Sequence, residues 1–86
     1  MKLKDSFIFH RHADGVVMMP TSKAKFSGVV QGNQTFAAIL ELLRSETTEE
    51  ALVAALQARY DAPEEKLRAD AARALSELRA IDALDE

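Results

Sequence analysis

The sequence predicts an α+β domain in which a three-stranded antiparallel sheet is followed by three helices, an order compatible with a winged helix-turn-helix. Two observations predict it. Short runs rich in aromatic and β-branched residues, separated by turn residues, fill the N-terminal part, and apolar residues at helical spacing fill the remainder. Elements in this order close one core only if the helices cover one face of the sheet.

Length and composition indicate one folded domain spanning residues 1–86. Hydrophobic residues make up 48% of the chain and charged residues 29%, which is usual for a globular protein and unlike a disordered one. The chain has no cysteine, so disulfides, thiolate catalysis and cysteine-ligated metal centres are excluded. A reducing cytoplasm is consistent with that composition.

Three strands are predicted before the helices. Residues 7–12 and 16–19 flank an Asp-Gly pair, which is a strong turn former, and therefore predict an antiparallel hairpin. Residues 26–31 predict the third strand, which is expected to end at Gly32-Asn33. Gly28 lies inside that strand, where glycine often marks a bulge or a close approach of backbones.

The first two helices are predicted from their apolar spacing and from residues that favour helix ends. The first helix is expected to begin between Asn33 and Thr35. Thr47 and Glu50 match a capping box at the start of the second helix, which ends before Pro63. The apolar positions are Phe36, Ile39, Leu40 and Leu43 in the first helix, and Leu52, Leu56 and Tyr60 in the second.

The third helix has the clearest periodicity in the chain. Pro63 suits its first position, and Glu64 and Glu65 complement its dipole. Residues 82–86 are expected to fray, with Leu84 partly tucked in. The apolar stripe consists of Leu67, Ala71, Ala74, Leu75, Leu78 and Ile81.

No arrangement of residues in the sequence predicts catalysis. His10 and His12 share one face of a strand, where two imidazoles could bind a metal, but solvated side chains are the favoured interpretation. Glu49 and Glu50 are better explained by helix capping than by paired-carboxylate catalysis. The serines stand in no nucleophile motif, and no glycine-rich loop could hold phosphate. We therefore expect a protein that is not an enzyme and that has no cofactor or metal.

The charge and the apolar runs argue against two classes of partner. Eleven Lys and Arg stand against 14 Asp and Glu, giving a net charge of −3, which disfavours binding to duplex nucleic acid. The second helix, which would be the recognition element of a winged helix, offers only Arg59 as a base. No segment approaches the roughly 20 apolar residues of a membrane helix, and the N-terminus lacks the features of a signal peptide. We expect a cytoplasmic protein.

The open edges of the predicted sheet are the remaining candidate for a binding site. An edge strand presents unpaired N–H and C=O groups, to which an extended peptide can add as a further strand. Three hypotheses stay open: a peptide-binding adaptor, a winged-helix DNA-binding or regulatory domain, and a dimerisation module that pairs the edge with itself. For a generic small domain, an edge protected by a loop or by dimer pairing is the better interpretation.

Several segments form a recognisable pattern along nearly the whole chain. They are Phe26-Ser27-Gly28 through Asn33, FAAILELL at 36–43, TTEE at 47–50, residues 51–56, Tyr60-Asp61, and LRAIDAL at 78–84. In this order and spacing they resemble the PqqD family of peptide chaperones, which are also called RiPP recognition elements. Each segment alone is weakly specific, whereas the full series is specific.

The resemblance implies a protein that binds the leader of a ribosomally made precursor peptide, in RiPP or PQQ biosynthesis. Its expected partners are that precursor peptide and a modifying enzyme, commonly a radical S-adenosylmethionine enzyme; a monomer or an edge-paired dimer is expected. The leader is expected to add along the third strand, in a groove beside the third helix. The implied peptide-binding residues are Lys25, Phe26, Ser27, Gly28, Val29, Val30, Gln31, Leu67, Arg68, Ala71, Leu75, Leu78 and Arg79.

The apolar stripe of the third helix has two unlike flanks, and the sequence does not decide which one faces that groove. Arg68 and Arg79 lie on one flank, and Asp70, Arg73 and Glu77 lie on the other. An arginine flank facing the groove would favour an acidic leader.

Overall fold

The computed structural model describes residues 1–86 and confirms the predicted fold class: three helices and a three-stranded antiparallel sheet in one α+β arrangement. The elements in chain order are β1 (Lys2–Leu3), β2 (Phe7–His12), β3 (Gly15–Pro20), β4 (Val30–Gly32), α1 (Gln34–Leu42), α2 (Glu49–Arg59), α3 (Glu64–Ala80) and β5 (Leu84–Asp85). No helix combines the length and apolarity needed to cross a lipid bilayer.

The main sheet has the strand order β2-β3-β4, with both pairs antiparallel. The predicted hairpin is confirmed, because β2 and β3 pair from Phe7 opposite Pro20 to His12 opposite Gly15. Alternate residues face the helices, as the period of a strand requires, and Val16 and Met18 on β3 are fully buried. On the opposite face Ile8 is 50% exposed. The helices therefore cover one face of the sheet only.

The third strand does not include residues 26–29, so the prediction of a strand over 26–31 is wrong for its first four residues. Only Val30–Gly32 pairs with β3. Gly28 has a φ of +126°, a conformation outside the strand region that glycine adopts readily. Phe26 packs against Phe7, with ring centroids 6.3 Å apart, so an apolar contact with the core takes the place of strand pairing.

Side-chain caps fix the starts of α1 and α2. The Asn33 side chain accepts a hydrogen bond of 2.9 Å from the Phe36 amide, in agreement with the predicted start of the first helix. The predicted capping box at Thr47 is wrong by one residue, since the Thr48 hydroxyl accepts the hydrogen bond from the Ala51 amide at 3.1 Å. The Glu50 carboxylate accepts from Arg68 instead of reaching back to the cap.

The apolar stripe of α3 is buried as its spacing predicts. Leu67, Ala71, Ala74, Leu75 and Leu78 are all buried in the core. They meet the buried faces of α1 and α2, where Ile39, Leu40, Leu43, Leu52 and Leu56 are almost fully enclosed. Pro63 stands just before the helix rather than in its first turn, and Ile81 follows its end, half-buried against the core.

The two ends of the chain form a second, two-stranded sheet that the sequence did not predict. Lys2 pairs with Asp85 and Leu3 with Leu84, so the expected fraying of residues 82–86 is wrong. The Lys4 amide also donates to the Ala83 carbonyl at 2.8 Å. Leu84 is buried, as expected. We call β1 with β5 the terminal strand pair.

Candidate functional site

β4 is an edge of the main sheet. It pairs with β3 through Val30, Gln31 and Gly32, and no other strand of the chain adjoins it. In a paired strand the backbone groups of alternate residues point away from the partner, so the outer side of β4 presents free donors and acceptors. Val29, immediately before the strand, is 58% exposed.

A groove lies beside this edge, between β4 with the start of α1 on one side and α3 on the other. It encloses about 190 Å³. Its apolar lining residues are Phe36, Ile39 and Ala74. Its polar lining comes from Gln31, Asn33 and Thr35 on the strand side and from Asp70, Arg73 and Glu77 on α3, and Gly32 also lines it.

Two glycines allow the close packing at this edge. A Cβ on Gly32 would stand 2.3 Å from the Phe36 ring, so the ring can lie against β4 only because the side chain is missing. Gly15 has a φ of +152°, and a Cβ there would stand 2.0 Å from the Gly32 carbonyl oxygen. Larger residues at either position would move β4 or the Phe36 ring, and with them the groove.

Gln34 connects the first turn of α1 to the turn of the β2–β3 hairpin. Its side-chain amide donates to the Ala13 carbonyl at 2.6 Å, and its side-chain oxygen accepts from Arg11 at 3.0 Å. Together with the Asn33 cap, this contact sets where α1 begins relative to the sheet. The groove is thus positioned by contacts between the hairpin and the start of α1, which join residues 21 and 23 positions apart in sequence.

The α3 side of the groove carries charge. The Asp70 carboxylate, only 13% exposed, accepts from Lys66 at 3.1 Å and from Arg73 at 2.8 Å. Glu77 is exposed, and no Lys or Arg side chain lies within salt-bridge distance of it. The flank of Asp70, Arg73 and Glu77 is therefore the one that faces the groove.

The arginine flank of α3 faces other elements. Arg68 donates to Glu50 on α2 at 2.6 Å and to Glu64 at 3.0 Å. That hydrogen bond, and then the charge of Arg68, lower the pKa of Glu50, while the two carboxylates raise the pKa of Arg68. Arg79 pairs with Glu86 beyond the terminal strand pair. An acidic peptide would thus not meet these two guanidinium groups in the groove.

The residues implied by the resemblance fall into three places, and their role in binding stays a prediction. Val30 and Gln31 are on the edge strand, and Lys25, Phe26, Ser27, Gly28 and Val29 form the segment before it. Leu67, Ala71, Leu75 and Leu78 are buried in the core, where they hold α3 in place and do not line the groove. Arg68 and Arg79 lie outside the groove.

Most groove-lining residues were absent from the sequence-based set. The sequence places Asn33 and Thr35 at a helix start and Phe36 in the apolar stripe, and a helix start looks the same whether or not a groove adjoins it. Asp70, Arg73 and Glu77 were recognised as a flank, but spacing gives the relative positions of residues on a helix and not the direction that a flank faces.

The opposite edge of the sheet, β2, differs in its surroundings. Beside it lie Leu3, Lys4 and Arg44. The Arg44 guanidinium stacks over the Phe9 ring, 4.5 Å from the centroid. His10 and His12 are exposed on this strand, and no group of three His, Cys, Asp or Glu side chains is placed to hold a metal ion.

Comparison with known proteins gives two similarities. The family model described as Coenzyme PQQ synthesis protein D (PqqD) matches residues 15–84. The structure of TbiB1 in complex with the TbiA(beta) leader peptide is similar, with a TM-score of 0.79 and 21% identity over 99% of this chain and 95% of that chain. At this identity the likeness shows a shared fold. No curated protein matches the sequence significantly.

Proposed function

This chain belongs to the PqqD family, and from that premise we propose that it is a non-enzymatic adaptor for a ribosomally made precursor peptide. It binds the leader segment as an added strand along β4 and presents the rest of the precursor to a modifying enzyme. Residues 1–86 act as a single peptide-binding domain. The enzyme we propose is of the radical S-adenosylmethionine class.

One observation carries the proposal: the free edge of β4 adjoins a groove whose other side is α3. Main-chain hydrogen bonds from an edge strand give a peptide affinity without a particular sequence, and flanking side chains give selectivity. TbiB1, which has a similar fold, was solved with a leader peptide bound. That similarity supports the same class of ligand for this chain.

The roles of the residues follow from their places. Val30, Gln31 and Gly32 supply the strand to which the peptide adds, and the segment 25–29 continues along its path. Arg73 and Glu77 on α3 are exposed to side chains of the peptide, whereas the apolar lining residues Phe36, Ile39 and Ala74 are nearly buried. The buried residues of α3 act indirectly, by fixing the distance between α3 and β4.

The direct test is a titration of the ¹⁵N-labelled protein with a synthetic leader peptide. The probe is the N-terminal half of a candidate precursor peptide, and binding is measured from the backbone amide shifts. We expect the largest shifts in β4 and in the groove-facing residues of α3. Shifts confined to the β2 edge, or scattered over the molecule, would contradict strand addition at β4.

A further inference from the structure

Four charged side chains line one face of α3 in alternating sign. Lys66, Asp70, Arg73 and Glu77 follow at steps of four, three and four, which places them on neighbouring turns of the same face. Asp70, Arg73 and Glu77 line the groove. The row therefore runs along the groove that adjoins β4.

The charges within this row are unequally paired. Asp70 takes both cations, with Lys66 at 3.1 Å and Arg73 at 2.8 Å, and its carboxylate is nearly buried. Glu77, at the other end of the row, has neither a salt bridge nor a hydrogen bond from a side chain. It is the one charged group in the groove that lacks a counter-ion.

The strand side of the groove does not change that balance. Its polar residues, Gln31, Asn33 and Thr35, are neutral. The groove lining thus carries two carboxylates and one guanidinium, and that guanidinium is already held by Asp70. An acidic side chain entering here meets a free carboxylate and no free cation.

We infer that the groove selects peptides that place a Lys or Arg beside Glu77, and disfavours peptides that place Asp or Glu there. The inference rests on the proposed function, because it concerns the side chains of a peptide added along β4. Side chains of an added strand alternate between the two faces, so alternate residues of the peptide pass α3. The preferred ligand is a peptide with a basic residue at that position, opposite in charge to the ligand expected for an arginine-lined groove.

The size of the effect follows from the exposure of Glu77. An ion pair at the rim of a groove contributes little in water, so a Lys in place of a Glu at the facing peptide position should improve affinity about two- to fivefold. The preference should shrink as salt is added, because exposed charges are screened.

The experiment is selection of phage-displayed random 12-residue peptides on the wild-type domain and on Glu77→Lys. Affinities of selected peptides, with Lys or Glu at the facing position, are then measured by fluorescence anisotropy. Peptides selected on the wild type should be enriched in Lys and Arg. Glu77→Lys should reverse the preference, and Arg73→Gln should strengthen it by removing the only cation of the groove.

The matched control is Glu65→Lys, which makes the same charge change on an exposed position of α3 that does not line the groove. It should leave the preference unchanged. If selected peptides lose affinity when β4 carries a proline, yet their charge preference is the same on wild type and Glu77→Lys, the inference is overturned and the proposed function stands. If peptide binding is insensitive to proline in β4, both fail.

Discussion

The two edges of the main sheet are both open, and each adjoins a concavity, but the two concavities differ in what lines them. β2 offers six residues of edge and β4 only three. Beside β2 lies a concavity of about 420 Å³, where the Arg44 guanidinium stacks on Phe9 and the other lining residues are Leu3, Lys4, Phe7 and Ile8. Beside β4 stands α3, whose core residues hold it at a fixed distance.

The difference shows that free backbone groups are not enough to define a binding site. β2 has the longer edge and the larger, more apolar concavity, but no residue of a helix lines that concavity, whereas α3 lines the groove beside β4. On β4 the backbone supplies few bonds, and the groove adds mainly polar and charged side chains, because its apolar residues Phe36, Ile39 and Ala74 are themselves almost fully buried. Affinity at a short edge then depends on a flanking element.

The largest expected effect is on the core that both edges share. Leu40 is fully buried on α1, so Leu40→Ala should lower the free energy of unfolding by about 2–5 kcal/mol. Leu42→Ala, on the same helix but only partly buried, is the control and should cost less. Urea denaturation followed by circular dichroism measures both. Equal losses of unfolding free energy in the two variants would mean that the greater burial of Leu40 does not determine its contribution to stability.

The second-largest expected effect comes from Gly15, whose close backbone packing should affect the β4 edge and not the β2 edge. Gly15→Ala places a Cβ against the Gly32 carbonyl at a positive φ, so we expect a loss of about 1–3 kcal/mol with amide shifts concentrated in β4 rather than β2. Gly28→Ala has the same unfavourable sign of φ, but its nearest neighbour would stand 3.5 Å away. A smaller loss of stability for Gly28→Ala would show that the clash with the Gly32 carbonyl causes most of the effect of Gly15→Ala. Similar losses for the two variants would mean that backbone strain alone explains both.

Proline substitutions compare the edges directly. Of two adjacent strand residues, one directs its N–H to the neighbouring strand and the other outward. One of Val30→Pro and Gln31→Pro should therefore destabilise the fold, and the other should keep the fold but weaken binding of a leader peptide. Unfolding midpoints and anisotropy titrations separate the two effects.

The same pair of changes on β2, His10→Pro and Arg11→Pro, serves as the control. The variant whose N–H is bonded to β3 should destabilise the fold in the same way. The other variant should stay folded and bind the leader peptide as tightly as the wild type does. A loss of peptide affinity from the β2 edge alone would reverse the comparison and place the ligand there.

The smallest effect is a pH dependence that lies away from both edges. Arg68 lowers the pKa of Glu50 below its ordinary 4.5, and Arg79 and Lys4 lower those of Glu86 and Asp82. Carboxylates with a lowered pKa stabilise the folded state above their ordinary value and lose that contribution as the pH falls through the folded pKa.

We therefore expect the urea midpoint to be constant near neutral pH and to decrease as the pH falls below about 4.5. Arg68→Gln should make the decrease shallower, because the pKa of Glu50 would return towards its unfolded value. A pH profile identical in the variant and the wild type would mean that the Arg68 pairs do not contribute to stability.

Elements set by contacts near in sequence were predictable. The hairpin depends on residues that flank one tight turn. The Asn33 cap and the apolar stripe of α3 depend on residues within a single helix. The capping box failed because Thr47 and Thr48 are chemically equivalent caps, and the distant Arg68 takes the Glu50 carboxylate. Local pattern cannot choose between two adjacent hydroxyls when a tertiary contact decides.

The site was less predictable than the fold because it depends on long-range placement. Residues 26–29 have the composition of a strand, but the packing of Phe26 on Phe7 and the φ of Gly28 end the pairing at Val30. The terminal strand pair has two residues on each side, too few for a periodic pattern. The orientation of α3 depends on how three helices pack together, and the apolar stripe of one helix does not determine that packing.

The terminal strand pair has a consequence for the order of assembly. It joins residues from opposite ends of the sequence, so its formation carries the largest loop-closure entropy of any contact in the molecule. Contacts of this kind form after local hairpins and helices, and short two-residue pairs are among the first to exchange their amide hydrogens. Partial opening should therefore release residues 2–3 and 84–85 while β4 and α3 still face each other, so the candidate site should persist in molecules whose terminal strand pair has opened.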